Sequence, residues 1–449
     1  MKGVAMPYRK FLVIGEVFVD FHLDKKQRNE NLVRLGGIFH ALRALSALEM
    51  KFSFAYYAPT YLKNDINRFG KNILGANEIY SLGIIDSAPN IFLIDHSDES
   101  EQQIYTNILC QQAVCNENFS IENILNSCSP TDILVFPGRF KVDEFLNRID
   151  KRKYKIHIDV NYDSDNISIL NGVQTVFLST STDSYKKLFQ YNTNKELINT
   201  FSKCLIRQLI VKENRGGSWG YDFSKDCEYE ASAQICDKST ISVGVGDVFN
   251  VAYLCELFDD NSNNLAFASW VAAEYAQVFD FDEFKQNVML IKSKKENFVA
   301  LHGVRVPWFT RPQYPIYMAA PDFNYINNTL FDNLIAALKY HHFIPRLPIR
   351  ENGQISNSSV EKDKEEVYFK DLNLLDACKL MIASLLTNDQ GTLVEIGYYK
   401  KAEKPIILFD PYNIASNMFL DKSCDYYCHT VNDVINAVFF MANRMIHNG

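Results

Sequence analysis

One repeated pattern dominates the first two thirds of the chain: a short apolar run ends in polar or glycine residues, and helical patterns lie between several such runs. The runs are DILVFPG, KIHIDVNYD, TVFLSTSTDSY and QLIVKENRGGSWGYDF. Runs of about four to six apolar residues read as buried strands. Strands alternating with helices predict a parallel, doubly wound α/β sheet, with ligands at the carboxyl ends of its strands. KFLVIGEVFVDF reads as a buried first strand, and GGIFHALRALSALEM as a glycine turn followed by a helix. NIFLIDHS and QQIYTNILC alternate like strands of a small β lid, and residues 250–296 read as helical.

A chain of 449 residues is too long for one ordinary core. The stretch VPWFTRPQYP, residues 306–315, is rich in proline and aromatics and reads as a linker. It divides a domain at 1–305 from a smaller α/β domain at 316–449. The second domain opens with the strand PIYMAA and the helix NNTLFDNLIAALKYHHF. RENGQISNSSVEKDKEEVY shows no apolar period and reads as a loop, over a site or as a tolerated insertion. LLDACKLMIASLL, KPIILFDPY and the helix VNDVINAVFFMANRMI complete the chain.

Net charge is −8 and no long basic block occurs, which argues against nucleic acid as a partner. The ten cysteines are scattered and read as thiols in a reducing cytoplasm. CDYYCH, with Cys424, Cys428 and His429, lacks the second ligand pair that a structural zinc needs, so no metal site is expected. Glu16 and Asp20 interrupt the only basic-then-apolar N-terminal run, which excludes a signal peptide or membrane span there.

Two constellations carry chemistry. SVGVGDVFNVAYL places Gly244 and Gly246 before Asp247 and a helix. Read locally, this is either a tight turn with an N-capping acid or a phosphate cradle, in which backbone amides and the helix N-terminus hold an anion. The chain here resembles the PfkB/ribokinase family of sugar and nucleoside kinases. GEVFVD resembles that family's first strand, the double glycine its Gly-Gly signature, and VFPG, HIDVN and VKENRGG follow in the expected order over residues 8–296. The resemblance implies a ribokinase-like fold using ATP and Mg2+. Asp247 is implied as the base that takes a hydroxyl proton. Gly244, Val245, Gly246 and Gly217 would lie along the phosphates. Asp20, Gly36 and Gly37 would bind substrate. The family's Asn after the double glycine is missing, and His40 is the nearest polar group, either packed or touching substrate. Ile241 and Ser242 stand where the family has Asp and Thr, so little stimulation by potassium is expected. Ser181 and Ser184 stand where it has a magnesium-organising Asn and Glu.

The second constellation is NDQGTLVEIGYYKKAEKPIIL, residues 388–408. Asp389 and Glu395 read either as a turn cap and a surface acid or as paired carboxylates for cleaving an N-glycosidic bond. This stretch, IYMAAPDF and YFKDLNLLDACKLMIASL resemble the nucleoside 2-deoxyribosyltransferase family over about 314–445, with Ala320 in place of a glycine. The resemblance implies a flavodoxin- or Rossmann-like domain that needs no cofactor. Glu395 is implied as the nucleophile, with Asp371 and Asp389 as acids around sugar and base. Tyr317 would hold the nucleophile and Phe323 would line the base pocket. Asn417 would be donated to a neighbouring subunit of a homo-oligomer.

Together these readings predict a cytoplasmic, two-domain protein acting on a nucleoside, sugar or nucleotide. It would phosphorylate a sugar or nucleoside hydroxyl and cleave or transfer a glycosidic bond. The alternative is a nucleoside or nucleotide sensor, whose altered kinase domain binds without turnover and regulates the other domain or a partner.

Overall fold

A computed structural model describes residues 9–23, 32–86, 91–95, 106–108, 114–117, 120–136, 138–160, 167–182, 185–186, 193–236, 242–355 and 360–448. The chain forms two compact units, one ending at Gly303 and the other beginning at Val304.

In the N-terminal unit the predicted strands join a ten-stranded sheet. Its middle is parallel, in the order Ile79–Asp86, Lys51–Ala58, Lys10–Glu16, Asp132–Val135, Lys155–Asp159, Thr175–Ser179 and Gln208–Lys212. Antiparallel strands close both edges, with Ser218–Asp222 and Cys227–Ala231 at one and Val114–Glu117 at the other. The central strands are apolar almost throughout because both faces are covered. Phe11, Phe52, Phe54, Phe177 and Ile210 share one core with the helices Phe39–Ala47, Val245–Leu254, Asn261–Gln277 and Phe281–Ser293.

KFLVIGEVFVDF is two strands rather than one. Lys10–Glu16 belongs to the large sheet, and Val19–Leu23 belongs to a separate four-stranded sheet with Leu32–Leu35, Ile91–Asp95 and Thr106–Ile108. The break falls where Val17 donates its N–H to Tyr57 O and the chain leaves the first sheet. Both pieces are apolar, so composition alone does not mark the crossing. The consequence is that Asp20 rides on the small sheet.

The C-terminal unit holds a five-stranded parallel sheet in the order Pro345–Arg346, Ile316–Ala319, Leu380–Ser384, Ile406–Phe409, Tyr426–Cys428. The first strand in sequence lies between the second and the third. Connections leave it in opposite directions, which opens a crevice at the strands' carboxyl ends. Tyr317, Ala319, Met381 and Ala383 pack with Leu374, Leu375, Ile396 and Tyr399 beneath that crevice.

Two expectations change here. The polar stretch 350–368 is largely helical: Pro348–Asn352 forms one helix and Glu361–Ala377 another, while residues 356–359 lie outside the described set. The longer helix buries only Leu374 and Leu375, so it carries almost no apolar period. Lys364–Glu361 and Lys370–Glu366 pairs, three and four residues apart, support its exposed face. Residues 306–315, read as a linker, include a 3-10 helix at Trp308–Gln313 that packs inward. Arg311 is fully buried, donates to Val306 O and His341 O, and lies over the Trp308 and Phe439 rings. Arg311→Ala is therefore expected to destabilise the C-terminal unit by about 2 kcal/mol, because buried carbonyls lose a charged donor. Denaturant unfolding followed by tryptophan fluorescence measures this.

Among the described residues no helix is long and apolar enough to cross a membrane.

Candidate functional site

The crevice of the C-terminal unit collects the second constellation. Asp389 is the N-cap of the helix Gln390–Lys401; its Oδ2 accepts from Thr392 N at 2.7 Å and from Thr392 Oγ1 at 2.9 Å. Gly391 and Thr392 thus form the first helical turn rather than a separate turn. Gly391 is tight against the cap, since a Cβ there would meet Asp389 Oδ2 at 3.1 Å. Thr392, Glu395, Ile396 and Tyr399 fall at helical spacing on the face toward the sheet. Thr392, Ile396 and Tyr399 are buried there, and Glu395 is half-buried at the crevice.

Tyr317, on the first strand of this sheet, is fully buried and donates its hydroxyl to Glu395 Oε1 at 2.6 Å. Burial raises the Glu395 carboxyl, the Tyr317 hydrogen bond pulls it down, and the charges of Asp371 and Asp389 push it up, leaving it at about 7. Burial, and then the same carboxylate, hold the Tyr317 hydroxyl far above its usual range, so it stays a donor. Asp371, on the helix Glu361–Ala377, accepts from Asn352 Nδ2 at 2.7 Å and is raised by burial despite that bond. Tyr317→Phe removes the bond that favours ionised Glu395. The limb of any activity needing that carboxylate should move to higher pH, lowering kcat/KM at pH 6 by about 10-fold. A pH profile of kcat/KM checks it.

Three further residues of this unit lie outside its strands and helices. Phe323 stacks on the exposed Tyr325 with ring centroids 5.3 Å apart and planes 6° off parallel. Asp322, missed in the sequence reading, is gripped by Arg350 Nη2 at 2.8 Å and Asn328 Nδ2 at 3.0 Å. Asn417 is exposed and caps the helix Met418–Ser423 through Phe419 N at 2.8 Å. Of the CDYYCH set, His429 directs Nδ1 to Asp410 O at 2.9 Å. Among the described residues no cluster of His, Cys, Asp and Glu could hold a metal.

In the N-terminal unit the glycine turn is built as its sequence suggests. Gly244 has φ +81°, a conformation that side chains disfavour, and a Cβ there would strike the His40 ring. The helix Val245–Leu254 begins at once and carries Asp247 in its first turn. Burial and the neighbouring Asp159 charge raise Asp247 to about 8, although Lys212 opposes them. The turn and the helix start fit a phosphate group. Ser181, at the expected magnesium-organising position, instead faces Ser179 Oγ at 2.7 Å. Ser184 and Ile241 lie outside the described residues.

The substrate side departs from expectation. Asp20 is 1% exposed, and its Oδ2 faces Arg34 Nε at 3.4 Å and His40 Nε2 at 3.2 Å. Burial would raise Asp20, but His40 and Arg34 outweigh it and bring the carboxyl down to about 2. His40 Nδ1 bonds the Tyr275 hydroxyl at 2.7 Å, and burial takes its ring down to about 4. Arg34 also donates to Val243 O at 3.2 Å and lies over Tyr275 and Phe279. Gly36 is the residue that permits this, since a Cβ there would lie 2.1 Å from Asp20 Oδ1. Gly37, at φ +61°, makes the turn into the helix Phe39–Ala47, and Gly217, at φ +102°, precedes the antiparallel strand Ser218–Asp222. The sequence reading missed Arg34 and Lys212. Lys212 stood in the quoted VKENRGG, where a cation ending a strand of such a sheet is a usable signal.

Residues 316–434 match the family model described as Nucleoside 2-deoxyribosyltransferase. The C-terminal unit holds a nucleoside 2-deoxyribosyltransferase domain. That match takes in Tyr317, Phe323, Asp371, Asp389, Glu395 and Asn417. The transferase-family domain is preceded by a unit similar to an E. coli ribokinase II solved in complex with ATP and Mg2+. They share 17% identity at a TM-score of 0.50, over 66% of this chain and 100% of that one. At this identity the likeness establishes a ribokinase-like fold. A ribokinase from Arabidopsis thaliana complexed with ribose and ATP is 13% identical, with a TM-score of 0.49, covering 64% of this chain and 99% of its own. Among curated proteins none matches the chain.

Proposed function

We propose that the chain is a two-domain enzyme of nucleoside metabolism whose C-terminal unit cleaves or transfers the N-glycosidic bond of a deoxynucleoside or its monophosphate. The observation that carries this reading is the Tyr317–Glu395 hydrogen bond of 2.6 Å at the sheet's crevice. Breaking the bond leaves positive charge on the sugar, and a carboxylate below the anomeric carbon captures it as a glycosyl-enzyme. Glu395 attacks in its ionised form while Tyr317 orients it. Asp371 is placed for a sugar hydroxyl. Asp389 uses Oδ2 as a helix cap, and Oδ1, without a hydrogen bond among the described residues, is the oxygen open to substrate. The Phe323–Tyr325 pair offers the base a flat apolar surface. Asn417 Nδ2 reaches the site of a neighbouring copy in a homo-oligomer. The chain works in the cytoplasm. The test is base release from a panel of deoxynucleosides and their monophosphates, with and without a second free base. Exchange marks a transferase, and release alone marks a hydrolase.

For the N-terminal unit the same proposal assigns ATP-dependent phosphorylation of a sugar or nucleoside hydroxyl, with Asp247 as base and the Gly244–Gly246 turn and Gly217 along the phosphates. Bound Mg2+ would offset phosphate charge. One observation favours a second reading, in which this unit binds ligand without turnover and regulates the other domain or a partner. The carboxylate expected to meet a substrate hydroxyl, Asp20, already sits between Arg34 and His40. ATP turnover against sugars and nucleosides separates the two. Phosphorylated acceptor supports the kinase, and tight binding without product supports the sensor.

A further inference from the structure

Beneath the glycine turn, two strand ends and one helix bring together groups that the reading above does not use. Lys212, the last residue of Gln208–Lys212, donates from Nζ to Asp159 Oδ2 at 2.7 Å and to Asn250 Oδ1 at 3.0 Å, and reaches Gly246 O at 3.5 Å. Asn250 Nδ2 closes the ring by donating to Asp159 Oδ2 at 2.6 Å. The ammonium lies directly against the turn, since a Cβ on Gly246 would stand 3.3 Å from Nζ. Asp159 pairs with this ammonium, whose side chain is only 12% exposed.

A second, independent observation lies across the strand pair. Ser218 is directly opposite Lys212 in the antiparallel ladder, so both side chains rise from the same face of the sheet. Ser218 is 2% exposed, yet its Oγ has no hydrogen-bond partner among the described residues. A buried hydroxyl left without a partner costs free energy. It sits opposite Lys212, whose ammonium lies against a turn whose geometry suits an anion, and a ligand oxygen would satisfy it.

We propose that Lys212 is a resident cation for a phosphate-bearing ligand. Its ammonium and the Gly244–Gly246 turn hold the terminal phosphoryl oxygens, the Ser218 hydroxyl donates to the same group, and no monovalent ion is needed there. This rests on the reading of the N-terminal unit as a nucleotide-binding unit, and it holds for both the kinase and the sensor. The lysine acts as a fixed point charge in a partly desolvated site, where a charge-assisted bond to phosphate is about twice as strong as a neutral one.

The experiment is calorimetric titration of the full chain with ATP, ADP and adenosine in Mg2+, once in potassium chloride and once in choline chloride. The parent is expected to bind ATP equally in both salts. Lys212→Met should weaken ATP by at least ~10-fold and leave adenosine unchanged. Because that variant strands the Asp159 charge, Lys212→Met with Asp159→Asn removes both charges together. It should keep the parental melting temperature and show the same loss for ATP. If the double variant binds ATP like the parent, or if ATP and adenosine weaken equally, the assignment of Lys212 is overturned while the nucleotide reading stands. ATP binding by the parent that requires potassium also overturns it. If the parent binds neither ATP nor ADP, the nucleotide reading itself falls.

Discussion

Glu395→Ala is expected to abolish release of base from a deoxynucleoside, with a loss of about three orders of magnitude or more, as for removal of an attacking group that acts in concert with its neighbours. Transfer and hydrolysis both pass through an electron-poor sugar, so the loss does not depend on which outcome the chain favours. Glu395→Gln keeps the shape and the Tyr317 contact but cannot attack, and should be nearly as damaging. The parent should gain activity as pH rises through about 7, where Glu395 ionises. Chromatographic assay of free base across pH 5.5–8.5 (an assay range chosen around that value) tests all three points. An alanine variant that cleaves like the parent would reduce Asp389 and Glu395 to a helix cap and a rim acid.

Asp247→Asn is expected to lower ATP-dependent phosphorylation of an acceptor by ~100-fold or more, the usual contribution of a positioned general base. ATP binding should change little, because the turn amides and Lys212 are untouched. The raised carboxyl, near 8, makes two further demands. A base must be ionised, so the parent's phosphorylation should climb as pH passes through about 8. Stability should move the other way. Between the unfolded value near 4 and the folded value near 8 the native state holds a proton that the unfolded chain has lost, so stability falls as pH rises across that window. The asparagine variant lacks that penalty and should melt at or above the parent at pH 8. Equal turnover in both proteins sinks the base assignment, and no turnover in either moves the weight to the sensor.

Much of this architecture could be read from residues whose local pattern matches their final environment. The central strands are apolar on both faces and announce themselves. The glycine turn at 244–246 and the Asp389–Glu395 pair are local in sequence, so the chemistry of each is visible within a dozen residues. What escaped was set by contacts over long separations. Asp20 was expected to be open to a ligand, but Arg34 comes from the next strand of the small sheet and His40 from the following helix, and only folding shows that all three share one pocket. Arg311 and Trp308 looked like linker residues because proline and aromatics lack a period; Arg311 is buried over Phe439, more than a hundred residues later, and Trp308 stacks on His342. The helix Glu361–Ala377 was hidden for the opposite reason. It is solvated on most sides, and its support comes from charge pairs rather than an apolar stripe.

That helix has a kinetic consequence. It carries Asp371 one turn before Leu374 and Leu375, which anchor it in the core. An acid mounted on an anchored helix is in position before any substrate arrives, so little side-chain freedom is lost when a sugar hydroxyl meets it. Diffusion into the crevice, rather than ordering of a segment around Asp371, then sets how fast this contact forms. Thickening the solvent with sucrose should slow capture of substrate in proportion to viscosity only where encounter limits the rate, and should leave the bond-breaking step at saturating substrate untouched.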